Sequence, residues 1–114
     1  MYYVKKTIEV SMAHRLTLSY ESKCCSLHGH NMLVTVYCRA RELNKDGMVV
    51  DFSEVARVVK GLLDHKCAND VVSFNPTAEN LARFVCEHIT NCYRVDIQES
   101  QNNVASYECD DLSD

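Results

Sequence analysis

The stretch "MLVTVYCRAR", residues 32–41, alternates between two kinds of side chain. Apolar residues occupy the even positions from Met32 to Ala40, and more polar residues occupy the odd positions from Thr35 to Arg41. One apolar face opposite one polar face is typical of a half-buried antiparallel strand. The segment therefore predicts a sheet with one face turned towards a core.

The regions on either side of this strand show their own periodic patterns of apolar residues. Residues 3–12 also alternate, with Lys6 as the exception, and predict a second strand. Downstream, Asp46 and Gly47 mark a turn. The period is helical over residues 53–64, and Ser53 is the predicted N-cap. The apolar residues of the predicted helical face are Val55, Val58, Val59, Leu62 and Leu63.

The rest of the chain adds another helix and two more strands. A helix begins after "NPTAEN", with Asn75 or Thr77 as the cap, and His88 is predicted to pack on its inner face. Residues 93–99 and 104–109 are predicted strands joined by the turn "SQNN". The order β-β-α-α-β-β predicts an α+β domain over residues 1–114, with two helices on one face of a four-stranded antiparallel sheet. The acidic tail, residues 110–114, is expected to fray.

Composition narrows the class of protein. The net charge of −4 argues against a general nucleic-acid binder, which is usually basic. No apolar run approaches the roughly 20 residues that a membrane span needs, and no export signal is evident, so we expect a cytoplasmic protein without a membrane partner. The seven cysteines form no C-x-x-C pair. This argues against a disulfide framework and a zinc ribbon, and it predicts mostly buried thiols.

Histidines suggest a metal site. In an extended chain, His28 and His30 point to the same side, and antiparallel pairing of the first two strands would bring His14 close to both. Three imidazoles leave one tetrahedral position of Zn²⁺ open, as in catalytic zinc sites. The alternative is that His28-Gly-His30 is a polar loop and His14 an unrelated strand residue.

Two acidic positions are candidates for further chemistry. Asp64 and His65 are adjacent at the end of the first predicted helix, where they can meet only if the helix stops. The alternative is a solvated helix end with a histidine that interacts favourably with the helix dipole. Glu99 shares the parity of Val95 and Ile97, so its carboxylate would lie on an apolar face and need a partner. The alternative is an exposed glutamate at a strand end.

Six motifs taken together resemble the 6-pyruvoyl-tetrahydropterin synthase family. They occur in the family's order, from about residue 4 to residue 107, as "AHRL", "KCCSLHGHN", "GMVVDF", "LDHKCAN", "PTAENLA" and "VDIQES". The resemblance implies the tunnelling fold, or T-fold, and a homohexamer built as a dimer of trimers with active sites between subunits. Ser100, Met32 and Cys67 depart from the usual residues, and we interpret Met32 and Cys67 as packing variants.

The resemblance also implies roles for individual residues. Zn²⁺ would be held by the three histidines, His14, His28 and His30. The catalytic residues would be Cys24 with Asp64 and His65, the acid–base pair coming from a neighbouring subunit. Glu99 would anchor the pterin, with Thr77 nearby.

The spacer Cys24-x-x-x-His28 is the short form, which is similar to the branch that makes 6-carboxy-5,6,7,8-tetrahydropterin for queuosine biosynthesis. The implied substrate is 7,8-dihydroneopterin triphosphate, which loses acetaldehyde and triphosphate. Two alternatives stay open. One is a 6-pyruvoyl-tetrahydropterin synthase or another pterin side-chain lyase, and the other is a non-catalytic hexamer that binds zinc or pterin.

Overall fold

The computed structural model of the chain describes residues 1–110. The strands are β1 (Tyr2–His14), β2 (His28–Ala40), β3 (Lys66–Cys67), β4 (Cys92–Ser100) and β5 (Asn103–Glu108), and the helices are α1 (Phe52–Leu63), α2 (Ala68–Val71) and α3 (Ala78–Cys86). A short 3-10 helix, Lys23–Cys25, precedes β2. The acidic tail that was expected to fray lies, from residue 111 onward, outside the described residues.

The sheet has five strands in the order β3-β1-β2-β4-β5. Neighbouring strands run antiparallel except β3, which pairs parallel with β1 at Met12 and Ala13. The α+β class of the prediction is confirmed, but the four-stranded sheet is wrong by one strand. The strand that the sequence did not predict is β3, which is only two residues long and therefore too short to show an alternating pattern.

Alternation along β2 places its apolar side chains in the core, as predicted. Met32, Val34 and Val36 are at most 1% exposed. Helix α1 packs against β1, and α3 packs against β4 and β5. The two helices and the sheet enclose one apolar cluster that includes Ile8, Val10, Val55, Val59, Leu63, Leu81, Val85, Val95 and Ile97. The main core therefore lies on the helix-covered face of the sheet.

The helix ends correct two predictions. The N-cap of α1 is Asp51, whose carboxylate accepts the N–H of Ser53 at 2.8 Å, so Ser53 as the cap is wrong. Aspartate and serine are both good N-caps, and Asp51 lies two residues before Ser53. Helix α3 ends at Cys86, so His88 lies beyond it. Its ring is exposed and lies tilted against Phe84, with the ring centroids 4.6 Å apart, rather than packing into the core.

The cysteines are all free thiols, and they are less buried than predicted. Cys38 and Cys86 are buried, Cys25 is exposed, and the other four are partly exposed. No helix within residues 1–110 combines the length and the apolar character that a membrane crossing requires.

Candidate active site

Three histidines converge where β1 ends and β2 begins. The register of the two strands places His14 opposite His28 and Met12 opposite His30. The ring centroids are 4.6, 4.9 and 5.1 Å apart. One ligating atom from each ring lies within 4.8 Å of those of the other two, a separation that can hold a metal ion. The alternative of a polar loop and an unrelated histidine is therefore wrong.

Backbone carbonyls fix the proton positions on two of these rings. The Nδ1 atom of His14 lies 2.8 Å from the carbonyl oxygen of Pro76, and that of His28 lies 2.7 Å from the carbonyl oxygen of Ser26. A carbonyl oxygen only accepts, so in the neutral rings Nδ1 carries the proton and Nε2 keeps its lone pair. A carbonyl partner of this kind commonly orients metal-binding histidines.

The donor set fits a metal ion. The His14 ring is fully buried, and its Nε2 atom has no hydrogen-bond partner among the described residues. Burial lowers the pKa of His30, and the nearby His14 and His28 add to this shift while Glu99 opposes it. A lowered pKa favours the neutral imidazole, which is the form that binds metals. Three converging imidazoles, with the buried Nε2 of His14 left without a hydrogen-bond partner among the described residues, are therefore suited to a metal that prefers nitrogen ligands.

A cavity of about 520 Å³ opens beside the histidine cluster. Cys24 is partly exposed and lines it, whereas Cys25 is exposed and lines a separate depression with residues 18–23. The two cysteines belong to the 3-10 helix, in which the N–H of Cys24 donates to Ser22 Oγ at 3.2 Å. The two neighbouring cysteines therefore line different cavities. The complete lining is Lys23, Cys24, His28, Gly29, His30, Glu99, Ser100 and Asn103.

Glu99 reaches the same cavity from β4. Its Oε1 atom lies 3.4 Å from Nε2 of His30, and its side chain is 27% exposed. The pairing of β4 with β5 shifts register between Gln98 and Ser100, which leaves Glu99 as the extra residue of a bulge. Bulges re-aim side chains at functional sites. The carboxylate therefore faces the histidine cluster rather than standing exposed at a strand end.

Asp64 and His65 lie at the opposite edge of β1. Helix α1 stops at Leu63 and His65 has φ +58°, so the regular helix that would keep the pair apart ends before it. Asp64 Oδ1 accepts the N–H of Ser11 at 2.9 Å, and its Oδ2 lies 3.7 Å from His65 Nε2. The side chain of His65 is 82% exposed and lines a different cavity from that of Cys24. Within one chain, the pair does not join the cavity that holds Cys24.

Thr77 has a structural contact but is not part of the cavity lining. Its Oγ1 accepts the N–H of Asn80 at 3.1 Å and caps α3. The neighbouring Pro76 instead contributes to the site through the carbonyl that orients His14. Sequence reasoning missed Pro76 and Ser26, because a backbone carbonyl is common to every residue type and leaves no signal. It also missed Asn103, which donates from Nδ2 to Ser100 Oγ at 2.7 Å on the cavity wall.

Comparisons with known proteins agree with this geometry. The 6-carboxy-5,6,7,8-tetrahydropterin synthase of Bacillus subtilis is 25% identical over 121 aligned residues, covering 91% of this chain and 83% of that protein. A putative enzyme of the same name from Pyrococcus horikoshii is 42% identical over 69 residues, 57% of this chain. That match spans 43% of the Pyrococcus protein, less than half of its length.

A solved structure and a family model extend the match to most of the chain. The 6-pyruvoyl tetrahydropterin synthase of Caenorhabditis elegans has a TM-score of 0.75 and 25% identity to this chain, with 95% of each chain covered. The family model described as 6-pyruvoyl tetrahydropterin synthase matches residues 3–110. With its T-fold and its three converging histidines, the chain belongs to the 6-pyruvoyl tetrahydropterin synthase family.

Proposed function

We propose that this chain is a zinc-dependent lyase that converts 7,8-dihydroneopterin triphosphate to 6-carboxy-5,6,7,8-tetrahydropterin, with release of acetaldehyde and triphosphate, in queuosine biosynthesis. The observation that carries the proposal is the single cavity shared by Cys24, Glu99 and two of the three clustered histidines. The names of the Bacillus and Pyrococcus relatives support the choice of product.

His14, His28 and His30 would hold the ion. Bound there, Zn²⁺ supplies a Lewis acid that acidifies the hydroxyl groups of the substrate side chain. His14 and His28 would bind the ion through Nε2, because carbonyl oxygens accept the proton on Nδ1 of both rings.

Glu99 would orient the pterin. A carboxylate accepts two parallel hydrogen bonds from adjacent donors, and the amino group and ring N–H of a pterin present such a pair. With the pterin held at Glu99, the substrate side chain would extend across the cavity towards Cys24. A thiolate at Cys24 would then remove the proton from the side-chain carbon beside the ring. Lys23, next in sequence, lines the same cavity and adds a positive charge to its wall.

A second proton transfer requires another group. We assign it to His65, oriented by Asp64, supplied from a neighbouring subunit of a homohexamer, because His65 of the same chain lines a different cavity. Thr77 would lie near the pterin as part of the same assembly. We also propose a cytoplasmic location, where seven free thiols would stay reduced.

The test is to incubate the purified, zinc-loaded protein with 7,8-dihydroneopterin triphosphate and identify the products by mass spectrometry. Acetaldehyde and 6-carboxytetrahydropterin in equal amounts would support the proposal. A 6-pyruvoyl product without acetaldehyde would indicate the sister reaction instead. Pterin binding without turnover would indicate a non-catalytic binding protein.

A further inference from the structure

The side chains of Asn69 and Asn75 form hydrogen bonds with the backbone of the segment that follows β1. Asn75 accepts the N–H of Thr17 at 2.8 Å through Oδ1 and donates from Nδ2 to the carbonyl of Thr17 at 2.9 Å. Asn69 binds the backbone of Arg15 in the same way, at 2.9 and 3.1 Å. Each amide therefore presents one donor and one acceptor to a single residue, as a neighbouring strand would.

Leu16, which lies between Arg15 and Thr17, connects this segment to Cys24. The N–H of Leu16 donates to the carbonyl oxygen of Cys24 at 2.8 Å. Successive residues of this segment are thus bound to different partners. Arg15 and Thr17 are bound to the asparagines, and Leu16 is bound to the cysteine loop.

This arrangement replaces a sheet ladder that is absent here. The pairing of β1 with β2 stops at His14 and His28, so the residues between them are not paired by that ladder. The 3-10 helix that carries Cys24 is only three residues long. A loop with so few backbone contacts is expected to open locally at low cost unless it is tied down.

We propose that Asn69 and Asn75 are positioning residues that hold Cys24 against the histidine cluster. The inference rests on the proposed function, which makes Cys24 the group that removes the substrate proton. The asparagines do not line the cavity of Cys24, and they act through the backbone of residues 15–17. Loss of these hydrogen bonds should displace the thiol of Cys24. The three histidines, two of which lie on β2, should remain in place.

The test compares Asn75→Ala and the double variant Asn69→Ala/Asn75→Ala with the parent protein. The first readout is the rate at which iodoacetamide alkylates Cys24 in the zinc-loaded protein, located by tandem mass spectrometry. The second is zinc per chain, and the third is kcat and KM for dihydroneopterin triphosphate. We expect severalfold faster alkylation, unchanged zinc and KM, and a kcat lower by roughly 10- to 100-fold, the scale of a misplaced catalytic group.

Asn44→Ala is the matched control. Asn44 Oδ1 also accepts two backbone N–H groups, from Asp46 at 2.9 Å and Met48 at 3.1 Å, but in a distant turn. This variant should lose stability while keeping the parent's alkylation rate and kcat, as expected for a purely structural asparagine.

An unchanged rate of Cys24 alkylation in the double variant would overturn the proposal. Faster alkylation together with loss of zinc would also overturn it, because the asparagine amides would then be positioning the histidines as well as the cysteine. If the alanine variants fail to fold, Asn75→Asp and Asn69→Asp carry the test, because each keeps the acceptor and loses the donor. The alkylation readout needs no turnover. It therefore stands even if the parent protein does not act on dihydroneopterin triphosphate, which would count only against the proposed function.

Discussion

The ring of His14 is fully buried, and its Nδ1 atom lies 2.8 Å from the carbonyl oxygen of Pro76, 62 residues away in the sequence. The bond fixes the tautomer of a histidine that joins a three-ring cluster with His28 and His30. His88 makes a similar bond, from Nδ1 to the carbonyl of Phe84 at 2.7 Å, but it is exposed and lies outside this three-histidine cluster. The two histidines are thus a matched pair for testing the metal site.

His14→Ala should bind much less zinc than the parent protein, because two imidazoles remain where three are needed for a stable site. Zinc per chain can be measured by inductively coupled plasma mass spectrometry after dialysis against a weak chelator. His88→Ala should keep the full zinc content. Full occupancy in His14→Ala would remove His14 from the ligand set.

Glu99→Gln should weaken pterin binding by about 2 kcal/mol, since an amide donor would face the donors of the pterin and leave a buried polar group unpaired. The affinity can be measured by fluorescence titration with a pterin, and the zinc content should not change. Glu79→Gln is the control, because Glu79 borders the neighbouring depression but not the cavity of Cys24. Equal pterin affinity in Glu99→Gln and the parent would contradict the anchoring role.

Cys24→Ala should lose nearly all turnover while keeping its zinc, because in the proposed site the histidines, and not the thiol, would hold the metal. Cys25→Ala should stay within a few-fold of the parent activity, since Cys25 lines a separate depression. Product formation from dihydroneopterin triphosphate measures both. The assignment fails if the Cys25 variant is inactive and the Cys24 variant is not.

The hydrogen bonds of Asp96 predict that the free energy of unfolding decreases in acid. Burial disfavours its charged form, but hydrogen bonds from Ser106 at 2.6 Å, Arg94 at 2.9 Å and Tyr37 at 2.8 Å outweigh it and hold the pKa of Asp96 below the ordinary 3.8. A pKa lower in the folded state stabilises the fold above about pH 4, and this contribution disappears as the pH falls through the folded pKa. The Tm of the parent should therefore fall more steeply below pH 4 than that of Asp96→Asn.

Thermal melts from pH 7 to pH 2.5 would measure this difference. Glu54→Gln is the control, because Glu54 pairs with Arg57 on a fully exposed helix face where water screens the charges. Its melting curve should follow the parent across the pH range. Parallel slopes for Asp96→Asn and the parent would show that the hydrogen bonds do not shift the titration of Asp96.

The sequence predicted those parts of the fold that depend on periodic burial. The alternation of Met32, Val34 and Val36 gave the correct face of β2. The spacing of His28 and His30, with antiparallel pairing of the first two strands, predicted the histidine cluster. The capping of α1 was misassigned because Asp51 and Ser53 are both good caps, and only the backbone geometry distinguishes them.

The remaining features depend on contacts that residue type does not encode. Strand β3 exists because Lys66 and Cys67 meet Met12 and Ala13, not because of any pattern in its two residues. The bulge at Glu99 and the carbonyl of Pro76 likewise arise from how distant segments pack. The family resemblance supplied predicted roles that periodicity could not, above all a catalytic role for Cys24 rather than Cys25.

The contacts of residues 11–17 with the segment from Asp64 to Pro76 have a consequence for the order of folding. The β1–β2 hairpin, which carries all three histidines, closes a short loop, so its pairing costs little chain entropy. The hydrogen bonds from Ser11, His14, Arg15 and Thr17 to the later segment instead close loops of 53, 62, 54 and 58 residues. Contacts of such sequence separation form slowly. We expect the histidines to approach one another early in folding and the loop of Cys24 to be fixed only when the segment between α1 and α3 docks.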